Sequence, residues 1–310
     1  MTAAGRFAPS PTGPLHVGNL RTALIAWLGA RSRGAPFLVR MEDLDRHTSS
    51  PEHEARQLAD LAAIGLDWDG DVVRQSERFD RYDAAIAELT HAGLTYECFC
   101  TRREISAAAR APHGTEAWAQ GAYPGTCRDL DERTRAERRL HRPPALRLRA
   151  DGEAITIDDV IAGRYTGRVD DVVVRRNDGV PAYNLAVVVD DAAQGVGEVV
   201  RADDLLSSTP RQVALRRRLG LPTVVYAHVP LVVFGDGERL AKRAGAAVTL
   251  DALARAGTST TDVLAWLVGS LGMEVGAGSD PSSALAALAS RFHLDALRDL
   301  GRVPVVMDIG

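Results

Sequence analysis

The chain has 310 residues, of which 45% are hydrophobic and 25% charged, a balance typical of a folded globular protein. Its length allows two domains or one large domain with an insertion, and its net charge of −4 excludes a uniformly basic nucleic-acid-binding surface. No apolar run reaches the roughly 18 residues that span a bilayer, and the N-terminus carries no apolar segment of the signal-peptide type. We therefore expect a cytoplasmic monomer with no membrane partner.

Strands and helices are predicted to alternate along most of the chain. A first strand at GRFAP (5–9) is followed by a helix from about Leu20 to Arg33 and a second strand at PFLVRME (36–42). The next helix, over 50–65, is marked by serine and proline at its start and glycine at its end. Further helices are predicted at 78–92, 208–220, 260–272 and 282–292, and further strands at 170–176, 183–191 and 223–234. This alternation indicates an α/β fold with a parallel sheet.

The middle of the chain, from about 95 to 180, breaks this rhythm. It is rich in arginine, glycine and proline and contains all three cysteines, which is typical of an insertion. We therefore predict four parts. They are a catalytic domain in two halves (1–95 and 183–240), an inserted subdomain (96–182), and a helical C-terminal region that begins with a loop (241–310).

The segment RFAPSPTGPLHVGN combines a strand, a turn-rich loop and the start of a helix. The free N–H groups and the dipole of a helix start favour anions, and Gly18 allows a ligand to approach the backbone closely. His16 and Asn19 add side-chain donors. Taken alone, His-Val-Gly-Asn favours a simpler interpretation, a polar turn that caps a helix.

Lys242, in FGDGERLAKRAGAAV, is the single lysine of the chain, and every other basic residue is arginine. A compact ammonium on a flexible stem suits a contact with a transferring phosphate. The alternative is that one lysine remains by chance in an arginine-rich composition. Glycines on both sides of the segment would allow a loop there to close.

Three segments in order, RFAPSPTGPLHVGN, RMEDLDR and ERLAKR, resemble the class I aminoacyl-tRNA synthetases of the glutamyl type. HVGN stands at the HIGH motif of that class, and residues 239–243 stand at its KMSKS loop, where Arg239 and Ala241 depart from the family pattern. The resemblance implies a Rossmann-type fold that uses ATP with Mg²⁺. It implies that His16, Asn19 and Lys242 are catalytic, and that ATP is bound by His16, Gly18, Asn19, Arg239 and Lys242.

The same resemblance implies a glutamate site. Two arginines are candidates to grip a side-chain carboxylate, because a guanidinium fork matches it bidentately. The implied glutamate-binding positions are Arg6, Phe7, Ala8, Pro9, Ser10, Glu42, Tyr183 and Arg201. Glu42 would face the substrate ammonium, and Tyr183 would donate a hydroxyl hydrogen bond. For Arg201 a surface salt bridge to Asp203 or Asp204 is the alternative. Glutamine fits less well, because two arginines facing a neutral amide would be poorly compensated.

Fewer than 70 residues follow the KMSKS-like loop, too few for the anticodon-binding region of glutamyl-tRNA synthetases. Together with CFC…YPGTC and VVVDDAAQGVGEVVRADDLL, this makes the chain similar to the glutamyl-queuosine tRNA(Asp) synthetases. That family activates glutamate without tRNA and transfers it to queuosine in the anticodon of tRNA(Asp). Two alternatives stay open: charging of another acceptor such as the tRNA 3′ end, or a non-catalytic paralogue that binds nucleotide or tRNA.

The three cysteines, Cys98, Cys100 and Cys127, form a candidate zinc site in a reducing compartment. From ligand chemistry alone, His113 is the better fourth ligand, because imidazole is a common zinc ligand. The family resemblance implies Tyr123 instead, through the Tyr-x-x-x-Cys spacing of YPGTC, and we predict Tyr123.

Overall fold

The centre of the fold is a five-stranded parallel sheet. The computed structural model describes residues 2–109, 123–234, 240, 248–275, 281–298 and 304–307. The sheet contains β1 (Ala4–Phe7), β2 (Phe37–Met41), β3 (Val73–Arg74), β9 (Val196–Ala202) and β10 (Val225–Val229). Its strand order is β10-β9-β1-β2-β3, and all neighbouring pairs are parallel. The prediction of a parallel α/β sheet is confirmed.

Ten α-helices occur in the described part of the chain. They are α1 (Val17–Ser32), α2 (Pro51–Ala63), α3 (Phe79–His91), α4 (Arg102–Ala109), α5 (Glu132–Arg139), α6 (Tyr183–Ala193), α7 (Thr209–Arg218), α8 (Leu250–Arg255), α9 (Thr260–Gly269) and α10 (Pro281–Ala289). Helix α1 is buried on nearly all sides, because it lies between strands β1 and β9 and helices α9 and α10. An all-round apolar helix of this kind belongs in a core rather than at a surface.

Side-chain caps explain where the first helices begin. Helix α1 starts at Val17, three residues before the predicted start, because His16 and Asn19 form a capping box across its first turn. Helix α2 starts as predicted, with the Ser50 hydroxyl accepting the His53 N–H at 3.2 Å and Pro51 in the first turn. After α2 the chain turns at Gly65, whose φ of 86° favours glycine.

The segment from about 95 to 180, where the sequence does not alternate between strands and helices, forms two antiparallel sheets. The first contains β4 (Thr95–Cys98), β5 (Ala145–Leu148) and β8 (Val173–Arg175), and the second is a hairpin of β6 (Ala154–Asp159) and β7 (Gly163–Arg168). The hairpin alternates buried and exposed residues along β6, as expected for a sheet with one solvated face. This architecture differs from the parallel sheet on either side of it in the sequence.

The prediction of a strand over 183–191 is wrong, because these residues form helix α6. Its run of valines suggested a buried strand, but short apolar runs do not distinguish a buried strand from a buried helix. Helix α6 buries Leu185, Ala186, Val187 and Val188, and tertiary burial outweighs the strand preference of valine.

Two further differences concern strands. The predicted strand over 223–234 is divided into β10 and β11 (Val232–Phe234) by Pro230, which has no N–H to donate to a sheet. Strand β11 pairs in parallel with β12 (Val305–Met307). Strand β9, in the middle of the main sheet, was not predicted. Within the described residues, no helix combines the length and apolar character that crossing a membrane requires.

Candidate active site

A cavity of about 730 Å³ opens at the carboxyl ends of β1 and β9. Strand β1 lies between β2 and β9, so the chain order reverses there, and ligands of open α/β sheets bind at such points. Ten of the residues singled out from the sequence line it: Arg6, Phe7, Ala8, Pro9, Ser10, His16, Asn19, Glu42, Tyr183 and Arg201. The fold therefore brings four separate sequence segments to one site: 6–19, 42, 183 and 201.

The capping box of α1 determines which hydrogen-bonding atoms His16 and Asn19 present. The Asn19 N–H donates to His16 Nδ1 at 3.3 Å, and the His16 N–H donates to Asn19 Oδ1 at 3.1 Å. His16 Nδ1 is therefore an acceptor, so the neutral ring carries its proton on Nε2, and burial lowers the pKa of His16. Within the described residues, the Nε2–H of His16 and the amide N–H₂ of Asn19 remain available as donors at the helix start.

Gly18 has a packing role at this helix start. A Cβ on Gly18 would lie 3.0 Å from the His16 ring and 3.5 Å from Val232 Cβ. The missing side chain therefore allows the imidazole to lie against the helix backbone. Gly18 is not among the residues that line the cavity, so it affects the cavity indirectly, by leaving room for the His16 ring.

Arg6 reaches the cavity from within the sheet and is only 5% exposed. Its Nε lies 3.4 Å from Asp191 Oδ1, and its Nη1 donates to the Val200 carbonyl at 3.0 Å. Asp191 also contacts Arg40 and Arg216, at 2.9 Å each. Burial alone would raise the pKa of Asp191, but the three guanidinium groups outweigh it and hold that pKa below its usual range.

Glu42 follows β2 and lies beside the same charge cluster. Its backbone N–H donates to the Pro9 carbonyl at 2.9 Å, and its Oε1 accepts from Arg40 Nη2 at 3.3 Å. Burial nevertheless raises the pKa of Glu42, against the effect of Arg40 and Arg6. A further cation in the cavity would therefore stabilise the carboxylate of Glu42.

Arg201 is 6% exposed and uses three of its N–H groups to bind neutral side chains. Nε donates to His228 Nε2 at 3.0 Å, Nη1 to Gln212 Oε1 at 2.8 Å, and Nη2 to Thr209 Oγ1 at 2.8 Å. The surface salt bridge considered as an alternative is wrong, because the guanidinium is buried. One N–H on each terminal nitrogen remains for a ligand, which suits a carboxylate.

The loop between β1 and α1 is held by α2. Gln57 Nε2 donates to the Ser10 carbonyl at 3.0 Å and to the Gly13 carbonyl at 2.7 Å. The Ser50 N–H donates to the Pro11 carbonyl at 3.0 Å. These bonds order the floor of the cavity around Ser10 without a ligand, and Gln57 lines the cavity as well.

A second cavity, of about 640 Å³, shares Ser10, Glu42 and Tyr183 with the first. Tyr183 is the first residue of α6 and is exposed between the two cavities. Four arginines line the second cavity: Arg102, Arg142, Arg147 and Arg176. Their charge exceeds that of the two carboxylates in the lining, Glu42 and Asp45, so this space suits an anionic molecule.

The three cysteines meet at the edge of the second cavity. Their sulfur atoms all lie within 4.8 Å of one another, and Cys100 lines the cavity. The Tyr123 hydroxyl oxygen is 3.4 Å from Cys98 Sγ and 3.7 Å from Cys100 Sγ, and it accepts the Cys127 N–H at 2.8 Å. Three thiols at this spacing are compatible with a zinc ion. Burial raises the pKa of the Cys100 thiol to about 12.

Three predicted site residues, Arg239, Lys242 and His113, lie outside the described residues. The nearest described neighbours of Lys242 are Leu240 and Val248, which are buried in the same core cluster as Leu15 and Val17. Thr249, which follows Val248, forms an antiparallel bridge with His16, so the chain after the lysine segment lies beside the HVGN helix start.

Several polar residues of the site were not found from the sequence. They are Arg40, Gln57, Asp191, Thr209, Gln212 and His228, which hold the predicted residues in place. Only the acidic pair DD at 190–191, after an apolar run, gave a signal, because a charge so close to buried residues needs a partner.

A family model described as tRNA synthetases class I (E and Q), catalytic domain, matches residues 3–282. The chain belongs to this family. As a class I synthetase it is an ATP-dependent ligase, and the resemblance drawn from the three sequence segments is confirmed.

The relatives of this class I synthetase include the Glutamyl-Q tRNA(Asp) synthetase of Nocardia farcinica, 65% identical over 87% of this chain and 85% of its own length. The Glutamyl-Q tRNA(Asp) synthetase of Cutibacterium acnes is 55% identical over 87% of this chain and 76% of its own. A glutamate tRNA ligase of Elizabethkingia meningosepticum, solved with its amino acid, has a TM-score of 0.78 and 26% identity, covering 99% of this chain and 67% of its own.

Proposed function

We propose that this synthetase activates L-glutamate with ATP, without tRNA, and transfers it to queuosine in the anticodon of tRNA(Asp). The observation that carries the proposal is the single cavity in which Arg6, Arg201 and Glu42 lie beside the start of α1. This arrangement provides a site for an amino dicarboxylate next to a site for phosphates.

Glutamate would lie with its side-chain carboxylate between Arg6 and Arg201, both buried and both with N–H groups left over. A carboxylate compensates two guanidinium groups better than an amide does, so the site favours glutamate over glutamine. Glu42 would bind the substrate ammonium, which compensates the burial that raises the pKa of its carboxyl group. Tyr183 would donate its hydroxyl hydrogen from the rim.

Activation is an in-line attack by the α-carboxylate oxygen on the α-phosphorus of ATP, which forms glutamyl-adenylate and releases pyrophosphate. The protein contributes mainly positioning and charge stabilisation to such a reaction. His16 Nε2–H, the Asn19 amide and the free N–H groups of the α1 start would bind phosphate oxygens. Lys242 and Arg239 would add positive charge as pyrophosphate leaves, and Mg²⁺ would neutralise part of the phosphate charge.

The acceptor would enter through the second cavity. Its four arginines suit a nucleic-acid strand, and Ser10, Glu42 and Tyr183 connect it to the activated carboxyl group. The relatives of 65% and 55% identity bear the name Glutamyl-Q tRNA(Asp) synthetase. These names favour a queuosine acceptor over the tRNA 3′ end.

A zinc ion would be held by Cys98, Cys100, Tyr123 and Cys127. When bound, it would cross-link the end of β4 to the chain at 123–127 and stabilise one wall of the second cavity. We assign it this structural role, because its ligands lie away from the cavity that contains Arg6 and Arg201.

Two assays test the proposal. Glutamate-dependent exchange of pyrophosphate into ATP, run without tRNA, should occur in the wild-type protein, and its absence would favour a non-catalytic paralogue. Labelled glutamate should then be transferred to tRNA(Asp) that contains queuosine and not to tRNA(Asp) that lacks it. Equal transfer to both tRNAs, or acylation of a 3′ end, would refute the queuosine acceptor.

A further inference from the structure

His228 lies next to Arg201 on the neighbouring strand of the main sheet. Strands β9 and β10 pair in parallel, and their register places His228 opposite Arg201. The imidazole is 1% exposed, and its Nε2 accepts the Arg201 Nε–H at 3.0 Å. His228 therefore contacts the arginine that we assign to the glutamate side chain, while lying behind it and outside the cavity lining.

Asp159, at the end of β6, determines the protonation of this imidazole. Its Oδ1 accepts three backbone N–H groups, from Ile161 at 3.0 Å, Ala162 at 2.8 Å and His228 at 3.0 Å. Its Oδ2 lies 2.5 Å from His228 Nδ1. The carboxylate can only accept there, so Nδ1 carries the ring proton and Nε2 remains free to accept from Arg201.

The position of Arg201 depends on this arrangement. His228, Gln212 and Thr209 accept three of the five guanidinium N–H groups, which fixes the plane of the guanidinium. Two N–H groups, one on each terminal nitrogen, are then left to bind a carboxylate. A proton on Nε2, which also lies 3.1 Å from Thr209 Oγ1, would remove the acceptor of the Arg201 Nε–H and set two N–H groups against each other at 3.0 Å between nitrogens.

We propose that His228, oriented by Asp159, is a positioning residue that keeps Arg201 aimed at the substrate carboxylate and makes glutamate binding sensitive to acid. The inference rests on the proposed glutamate site. It extends that site by a pair of residues that touches no substrate, and it identifies the protonation of one imidazole as the event that disables the arginine.

The groups around His228 come from four elements. Asp159 lies on β6, Arg201 on β9 and Asp203 in the turn after β9. The ring of Tyr226, on β10, stacks on the His228 imidazole with 6.1 Å between the ring centroids. Burial lowers the pKa of His228 below its ordinary value and Arg201 lowers it further, while Asp159 and Asp203 act in the opposite direction. The imidazole is therefore neutral at pH 7 and becomes protonated only in acid, where the inference predicts that the Michaelis constant for glutamate rises.

Asp159→Asn is the main test. The three N–H groups at the Oδ1 position hold the amide oxygen there, so the new NH₂ group replaces Oδ2 and donates to His228 Nδ1. The ring proton must then move to Nε2, against Arg201. We expect the Michaelis constant for glutamate in pyrophosphate exchange to rise roughly 10- to 100-fold, and that for ATP to stay within about twofold. Asp158→Asn, an exposed neighbour on β6, is the matched control and should behave as wild type.

Replacement of His228 separates positioning from simple packing. In His228→Gln an amide oxygen can accept from Arg201 at any pH, whereas His228→Ala removes the acceptor. Between about pH 5 and 7.5, where the glutamate side chain stays largely ionised, the wild-type Michaelis constant for glutamate should rise toward acid. That of His228→Gln should stay flat and lie below that of His228→Ala. Equal losses and parallel pH profiles in the two variants would overturn the inference.

The tautomer can be measured without substrate. In ¹⁵N-histidine NMR spectra, with the His228 signals assigned by comparison with His228→Gln, the wild-type ring should be protonated on Nδ1, and the ring in Asp159→Asn on Nε2. A wild-type ring protonated on Nε2 would overturn the inference, whatever the catalytic result. Absence of glutamate-dependent exchange in the wild type would refute the proposed function instead, so the two failures are distinguishable.

Discussion

Replacement of Arg201 by alanine tests the glutamate site most directly. Three of its five N–H groups bind His228, Gln212 and Thr209, which leaves two for the substrate. Hydrogen bonds to charged partners contribute about 1.5–3 kcal/mol each. Loss of both therefore corresponds to about 3–6 kcal/mol, or roughly 10²- to 10⁴-fold in kcat/KM for glutamate. We expect the lower part of this range, because Arg6 remains in the cavity.

The assay is glutamate-dependent pyrophosphate exchange without tRNA, with glutamate and ATP varied separately. Arg201→Lys keeps the charge but loses the fork, so it should also bind glutamate weakly. Arg217→Ala, an exposed arginine on α7, is the matched control and should leave both Michaelis constants unchanged. Circular dichroism should show that Arg201→Ala is folded, since the change also leaves three buried acceptors without a donor. A Michaelis constant for glutamate within about twofold of wild type would refute the assignment.

Three further predictions concern Asp191, Lys242 and the cysteine cluster. Asp191→Asn leaves three buried guanidinium groups without their shared carboxylate, and urea denaturation should show that the free energy of unfolding falls by about 3–5 kcal/mol. The control Glu137→Gln, at an exposed position, should change the free energy of unfolding by less than about 0.5 kcal/mol. Because the arginines hold the pKa of Asp191 below its usual range, its stabilising effect is fully present above about pH 4 and disappears as the pH falls through that lower pKa; an acid unfolding profile identical in wild type and Asp191→Asn would contradict this. Lys242→Ala should slow pyrophosphate exchange by about 10²-fold with little change in stability, and Lys242→Arg should also be slow if a compact ammonium is required. Near-normal exchange rates in both variants would contradict a role of Lys242 in binding phosphate. Purified protein should contain about one zinc per chain by metal analysis; an unchanged metal content in Cys127→Ser would exclude that thiol.

The sequence by itself determined the fold class and the identity of the family. Apolar strands alternating with helices predicted the parallel sheet, because each such unit must bury its apolar face against its neighbours. RFAPSPTGPLHVGN, RMEDLDR and ERLAKR, in order, predicted a class I synthetase, and the family model confirms it. The alternation is a local feature of the sequence, and the family was identified through the resemblance that the three segments carry. The residue roles within the site were predicted in the same way and stay predictions until the variants are measured.

Tertiary structure alone decided two things. The first is the conformation of 183–191, where the valine run is compatible with a strand or a helix and only packing on every side selects α6. The second is the set of side chains that hold the site: Asp159 lies 69 positions from His228, and Asp191 lies 185 positions from Arg6. No spacing rule connects residues so far apart, because their contacts depend on strand order and register. The sequence thus named the residues that face the cavity, while the sheet determined which buried partners orient them.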